Sequence, residues 1–249
     1  MTSSTPSPRA VVVGATSRTG EAVARRLGGL GWSMTLTSRD ARRTAGLVET
    51  IEASGSVDAI ETASLDLADA ASIDSFVHDL DLDRPIDLLV VCGAPFAEDP
   101  IDSWSMPKFL EQAAAQAAGP ALVAAGLRDA LARSTRSGGG AVVLFGDIHA
   151  RLRPRPGAAP YLAGKAALES LVPILACEMA PTRVFGIAPG VIAWAEEFDE
   201  ERRRRYLERV PLGREGTVEE AASLVLALAE HASYTTGIVV PIDGGRHLR

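Results

Sequence analysis

Cysteine is nearly absent from this sequence: Cys92, in an apolar run, and Cys177, in a helical pattern, are the only two. A pair so placed offers neither a disulfide framework nor metal-ligand spacing, so both are expected to be buried thiols and no metal is expected. Long hydrophobic runs are missing as well. No stretch reaches the about 18 consecutive apolar residues that a membrane span needs, and the Ser-, Thr- and Pro-rich residues 1–8 hold no apolar signal core. This pattern predicts a cytoplasmic protein with a disordered tip over residues 1–8 and no membrane partner. Positive charge is in deficit, with 25 Lys and Arg against 32 Asp and Glu, a net charge of -7 and a pI near 5.2. That balance argues against nucleic acid, because no broad basic surface faces phosphates. The basic run at Arg202–Arg205 is flanked by acids and reads as a solvated helix face.

What is present is one large domain's worth of chain, 249 residues at 47% hydrophobic, with strand-like and helix-like segments alternating from residue 9 to residue 249. Strands are predicted at Arg9–Val13, Ser33–Thr37, Asp58–Leu65, Leu88–Cys92, Ala141–Phe145, Arg183–Ala188 and Gly237–Pro241. Helices are predicted at Glu21–Leu30, Ala41–Ala53, Ala71–Leu80, Phe109–Ser134, Pro160–Met179 and Glu219–Leu228. Such alternation implies a doubly wound α/β fold, a seven-stranded parallel sheet with helices on both faces. Two long loops, 147–160 and about 190–213, leave the carboxyl ends of strands, where ligands bind in such sheets, and are expected to wall a small-molecule substrate.

Two motifs carry chemistry. Gly14-Ala15-Thr16-Ser17-Arg18-Thr19-Gly20 follows a strand and opens a helix, the context in which glycines turn the chain and bring a helix N-terminus to a pyrophosphate. Arg18 takes the usual middle-glycine position and reads either as a phosphate contact or as a surface arginine. At the end of the second strand stand Ser38 and Arg39, which favour NADP(H) through a 2′-phosphate, while Asp40, one residue on, keeps NAD(H) possible. Asp66-Leu67 after the third strand reads as an adenine contact or, for Asp66, a helix N-cap. The second motif pairs Tyr161 with Lys165, one helical turn apart, so that an ammonium near a phenol is expected to favour the phenolate.

Together with Pro189-Gly190 and the terminal Asp243-Gly244-Gly245, these motifs resemble the short-chain dehydrogenase/reductase family over nearly the whole chain, which implies a single Rossmann domain. Within that family, Arg18, Ser38-Arg39, Asp147 and Gly244-Gly245-Arg246-His247 look most like pteridine and dihydromonapterin reductases. The resemblance implies that Tyr161, Lys165, Asp147 and Gln116 are catalytic, Asp147 standing where the family usually has serine and Gln116 where it has asparagine. It also implies cofactor contacts at Cys92, Gly93 and Ala94 and at Pro189, Gly190, Val191 and Ile192, and a homo-oligomer, tetramer or dimer. Phe96, Trp104, His149 and Trp194 lie on loops beyond strand ends as candidate substrate contacts, with core or rim packing the competing reading for the aromatics. The expected activity is reduction of a C=O or C=N bond in a polar cyclic or heteroaromatic substrate. A ketoreductase of specialised metabolism is the alternative, and a nicotinamide-sensing regulatory protein a further one, disfavoured because a sensor has no need of a proton donor.

Overall fold

A computed structural model describes residues 7–93, 96–194 and 199–249. Seven parallel strands lie in the order β3-β2-β1-β4-β5-β6-β7: β1 (Arg9–Val13), β2 (Ser33–Ser38), β3 (Ile60–Ser64), β4 (Leu88–Val91), β5 (Ala141–Phe145), β6 (Arg183–Pro189) and β7 (Ile238–Ile242). Along β1, Ala10 and Val12 join one hydrophobic cluster while Val11 and Val13 join the other, so the period of two in a strand places a core on each face of the sheet. The order reverses at β1, which pairs with β2 on one side and β4 on the other. This is the switch point where a doubly wound sheet opens a ligand crevice.

The helices are α1 (Arg18–Gly28), α2 (Ala45–Glu52), α3 (Ala70–Asp79), α4 (Met106–Ala113), α5 (Gly119–Gly126), α6 (Arg128–Ala132), α7 (Ile148–Arg151), α8 (Ala159–Glu178), α9 (Glu200–Leu207) and α10 (Val218–Glu230). All seven expected strands form. Two expected helices do not survive whole: the one expected from Ala41 to Ala53 opens with a 3-10 turn at Ala41–Thr44 before α2. The segment expected as one helix from Phe109 to Ser134 is α4, a π turn at Ala114–Ala118, α5 and α6. Pro120 has no N–H to return to the carbonyl of Gln116, and the wider turn absorbs that missing bond. The third strand starts at Ile60 and not Asp58, whose carboxylate accepts from the hydroxyls of Ser7 and Ser33 at 2.7 and 3.0 Å. Ser7 and Pro8 are therefore tied to the sheet edge, Pro8 through its carbonyl to Ser33 N–H, and the rest of the expected tip lies outside the described residues. Among the described residues no helix is long and apolar enough to cross a membrane.

Candidate active site

β5 delivers Phe145, Gly146 and Asp147 to the carboxyl edge of the sheet, and α8 runs across that edge with Tyr161 and Lys165 facing it. Tyr161 Oη donates to Asp147 Oδ2 at 3.2 Å, while Asp147 Oδ1 accepts from His149 N–H at 2.8 Å and so caps α7. Lys165 Nζ donates to the carbonyl of Phe145 at 2.5 Å. Both side chains are enclosed, Tyr161 at 7% and Lys165 at 6% exposure. Gln116 is fully buried in the π turn and donates to Gln112 Oε1 at 3.1 Å. It reaches α8 because residue 164 is glycine, where a Cβ would stand 2.9 Å from that of Gln116. Tyr161, Lys165 and Asp147 thus gather at the end of β5, and Gln116 abuts the same helix at Gly164.

Their electrostatics differ from the sequence expectation. The pull of Lys165 on the phenol is outweighed: its ammonium is 5.9 Å from the Tyr161 ring centre and bonds the main chain. Burial, reinforced by the Asp147 charge and by the hydrogen bond to it, raises Tyr161 well above the ordinary phenol range. The site therefore holds a protonated phenol beside a carboxylate acceptor. Burial also pulls Lys165 down to about 8 from 10.5, against the opposing pull of Asp147 and Glu169.

That depression has a sign that can be measured. Below pH 8 the lysine is charged both folded and unfolded, and the full cost of burying the charge falls on the folded state. Between pH 8 and 10.5 the folded protein releases the proton first, so stability rises with pH. Wild type is expected to gain on Lys165→Met across this window by up to roughly 3 kcal/mol. Denaturant unfolding of both proteins at pH 7.5 and 10 checks this, and a constant difference would mean that the ammonium is not desolvated.

The glycine loop lies at the switch point. Gly14 has φ +75°, and a Cβ there would lie 2.7 Å from Gly93 Cα at the end of β4. A Cβ on Gly20 would overlap the Gly14 carbonyl, so the first turn of α1 can sit directly on the loop only with glycine at both positions. Ser17 Oγ accepts from Gly20 N–H at 3.0 Å and caps α1. Beside this loop opens a cavity of about 260 Å³ lined by Gly14, Thr16, Ser17, Cys92 and Gly93, continuing to Ser38, Arg39, Asp66 and Leu67. A groove that begins on a helix N-terminus suits the pyrophosphate of a dinucleotide. Burial pushes the Cys92 thiol up, leaving it a neutral part of the wall.

Several expected contacts fall elsewhere. Arg18 does not turn to the groove: it donates to the Trp194 carbonyl at 2.6 Å and lines a separate cavity of about 430 Å³ with Ile192 and Thr217. Thr19 and Gly20 lie in the first turn of α1, and Gly190 packs on Asp243. Ala94 lies outside the described residues. Asp40 pairs with Arg42 at 2.9 Å and caps the following 3-10 turn, so it is not among the groove's residues. Asp66 does line the groove, and the N-cap of α3 is Asp69. Arg43 is a groove residue that the sequence reading missed, although its spacing of four from Arg39 was visible.

Of the candidate substrate aromatics, Phe96 meets the catalytic group, packing edge-on to Tyr161 at 5.1 Å with the Arg155 guanidinium 5.1 Å from its ring centre. Trp104 instead pins its own loop, its indole N–H donating to the Asp99 carbonyl at 3.0 Å and its ring packing on Phe109. His149 Nδ1 is engaged with the Arg153 carbonyl at 2.8 Å. Trp194 packs edge-on to Tyr206 of α9, whose other neighbour is the Arg246 guanidinium at 5.0 Å. Tyr206 and Arg155 were not anticipated, since the partners that place them, Trp194 and Arg246 for the one and Phe96 for the other, are not neighbours in sequence.

A switch-point groove built on glycines, beside a Tyr-Lys pair on one helix turn, defines a dinucleotide-dependent α/β oxidoreductase. The chain belongs to the short-chain dehydrogenase/reductase family: residues 14–247 match the family model described as enoyl-(acyl carrier protein) reductase. L-xylulose reductase of Bos taurus is 30% identical over 95% of this chain and 95% of its own. The 3-oxoacyl-(acyl-carrier-protein) reductase FabG of Pseudomonas aeruginosa is 30% identical over 96% of this chain and 97% of its own. Protein FixR of Bradyrhizobium diazoefficiens is 41% identical over 52% of this chain, a match spanning 46% of that protein. The solved structure of a short-chain type dehydrogenase/reductase from Mycobacterium ulcerans superposes with a TM-score of 0.88 at 25% identity, covering 97% of this chain and 90% of the other. The protein is thus an oxidoreductase of a family that uses NAD(P)(H).

Proposed function

We propose that the protein is an NADPH-dependent reductase of a C=O or C=N bond in a polar, cyclic substrate that carries ring N–H groups, as in pteridine reductases. The observation that carries this reading is the Tyr161 hydroxyl donating to a carboxylate that takes the place of the family's serine. When bound, the nicotinamide supplies the hydride. Tyr161 holds the proton for the reduced atom, Asp147 accepts from substrate N–H groups, and Phe96 offers a face for a flat ring. Lys165 fixes the end of β5 through Phe145 and, as a cation, favours the anionic cofactor.

Arg39 and Arg43 support NADP(H) over NAD(H), because both line the same groove while Asp40 is paired with Arg42. Replacing either by alanine is expected to weaken NADPH by about 1.5 to 3 kcal/mol and leave NADH nearly unchanged. Titration of each variant with both cofactors tests this, and equal losses for the two would exclude phosphate reading by these arginines. Assembly into dimers or tetramers fits the exposed apolar side chains of Met106 and Leu110 on α4 and of Leu122 on α5.

A second reading, a ketoreductase, is favoured by the names of the full-length relatives, a 3-oxoacyl-(acyl-carrier-protein) reductase and an L-xylulose reductase. Initial rates of NADPH oxidation with a dihydropterin and with a cyclic ketone separate the two. Turnover of the ketone alone would overturn the first.

A further inference from the structure

Glu169 is a carboxylate at 3% exposure, one turn beyond Lys165 on α8, that the reaction as described does not use. Its Oε1 accepts from the backbone N–H of Asp147 at 3.1 Å. The same oxygen occupies the space that a Cβ on residue 146 would need, so glycine at 146 is what lets the carboxylate reach under the turn. Asp147 is extended, with φ -160° and ψ 132°, which sends its N–H down to Glu169 while its side chain meets Tyr161 and His149. The residue is thereby gripped at its main chain and presented at its side chain. Removal of Glu169 would leave a buried N–H without an acceptor and free the turn that aims Asp147.

We propose that Glu169 is a positioning residue of this active site, holding the main chain of Asp147 from below so that its carboxylate meets the Tyr161 hydroxyl. This role rests on the reading of Tyr161 and Asp147 given above. The charged groups facing Glu169 are Asp147 after β5, Arg151 of α7 and Lys165 of its own helix. Burial and Asp147 raise the Glu169 carboxyl, while the Asp147 N–H, Arg151 and Lys165 oppose the rise. In its ionised form Glu169 in turn keeps Tyr161 and Lys165 protonated to higher pH.

Glu169→Gln keeps the acceptor oxygen and removes the charge, whereas Glu169→Leu removes both at similar volume. The glutamine variant is expected to keep kcat within about threefold at its optimum and to lose activity at a pH lower than wild type by about half a unit or more. The leucine variant is expected to lose roughly tenfold or more in kcat with NADPH affinity unchanged. Wild-type kcat in Glu169→Leu overturns the role. So does a Glu169→Gln variant as inactive as the leucine one, because an acceptor alone should rescue. If the leucine variant fails to fold, Glu169→Ala decides in its place: a loss of roughly tenfold or more in kcat with NADPH affinity unchanged, rescued by Glu169→Gln, supports the role, and wild-type kcat overturns it. Tyr161→Phe measured alongside separates the failures. An active Tyr161→Phe sinks the underlying reading, whereas an inactive Tyr161→Phe with an unaffected Glu169→Leu sinks this inference only.

Discussion

Tyr161→Phe is expected to lower kcat by roughly a hundredfold or more while leaving NADPH affinity nearly intact, as loss of a general acid does. The two halves of that expectation come from different parts of the structure. On the reading proposed above, cofactor affinity resides in the groove between the Gly14 loop and Arg43, and Tyr161 is not among the residues lining that groove. The ring itself remains, so its edge-on packing with Phe96 and the burial of its helix face are kept. What disappears is one hydroxyl, the donor 3.2 Å from Asp147 Oδ2. Because burial and Asp147 raise the phenol, wild type holds its proton through neutral pH and well into alkali. The loss should therefore be nearly constant across the neutral range. Single-turnover oxidation of bound NADPH measures the chemical step directly. Near-normal turnover would remove Tyr161 from the mechanism.

The fold was legible because its signals are local. Runs such as Leu88–Val91 have no polar face to show water, and so declare a strand covered on both sides. Gly14 and Gly20 were legible for the same reason, since a tight turn and a close helix approach restrict residue type at fixed spacing. Features that depend on burial or on distant partners were not. The spacing of Tyr161 and Lys165 says that they share a helix face, but the sign of the shift at Tyr161 is set by desolvation and by Asp147, 14 residues away. Arg18 follows the glycine-loop pattern yet turns outward to Trp194, 176 residues on. Pro120 was visible, but the π turn it permits also needs Gly164 opposite to receive Gln116. Glu169 looked like an ordinary polar residue of α8 until the turn at Gly146 placed Asp147 above it.

Asp147 decides between the two readings of substrate, because both of its oxygens already accept hydrogen bonds, from Tyr161 and from His149. An acceptor of this kind welcomes a ring N–H and opposes the negative charge that develops on an isolated carbonyl oxygen. If the substrate carries such N–H groups, Asp147→Asn is expected to lose on the order of a hundredfold in kcat, and Asp147→Ser should not restore it. If the substrate is an ordinary ketone, the serine hydroxyl is the better donor, and Asp147→Ser should equal or exceed wild type. The comparison is clean because Asn and Ser cap helices about as well as Asp, so each variant can still bond the His149 N–H that starts α7. A change in activity would then report the chemistry at Tyr161 and not the loss of a turn. Measured on a dihydropterin and on a cyclic ketone, wild type and Asp147→Ser must rank in opposite orders under the two readings, and wild type above Asp147→Ser on the ketone as well would leave the ketoreductase reading without a role for its missing serine.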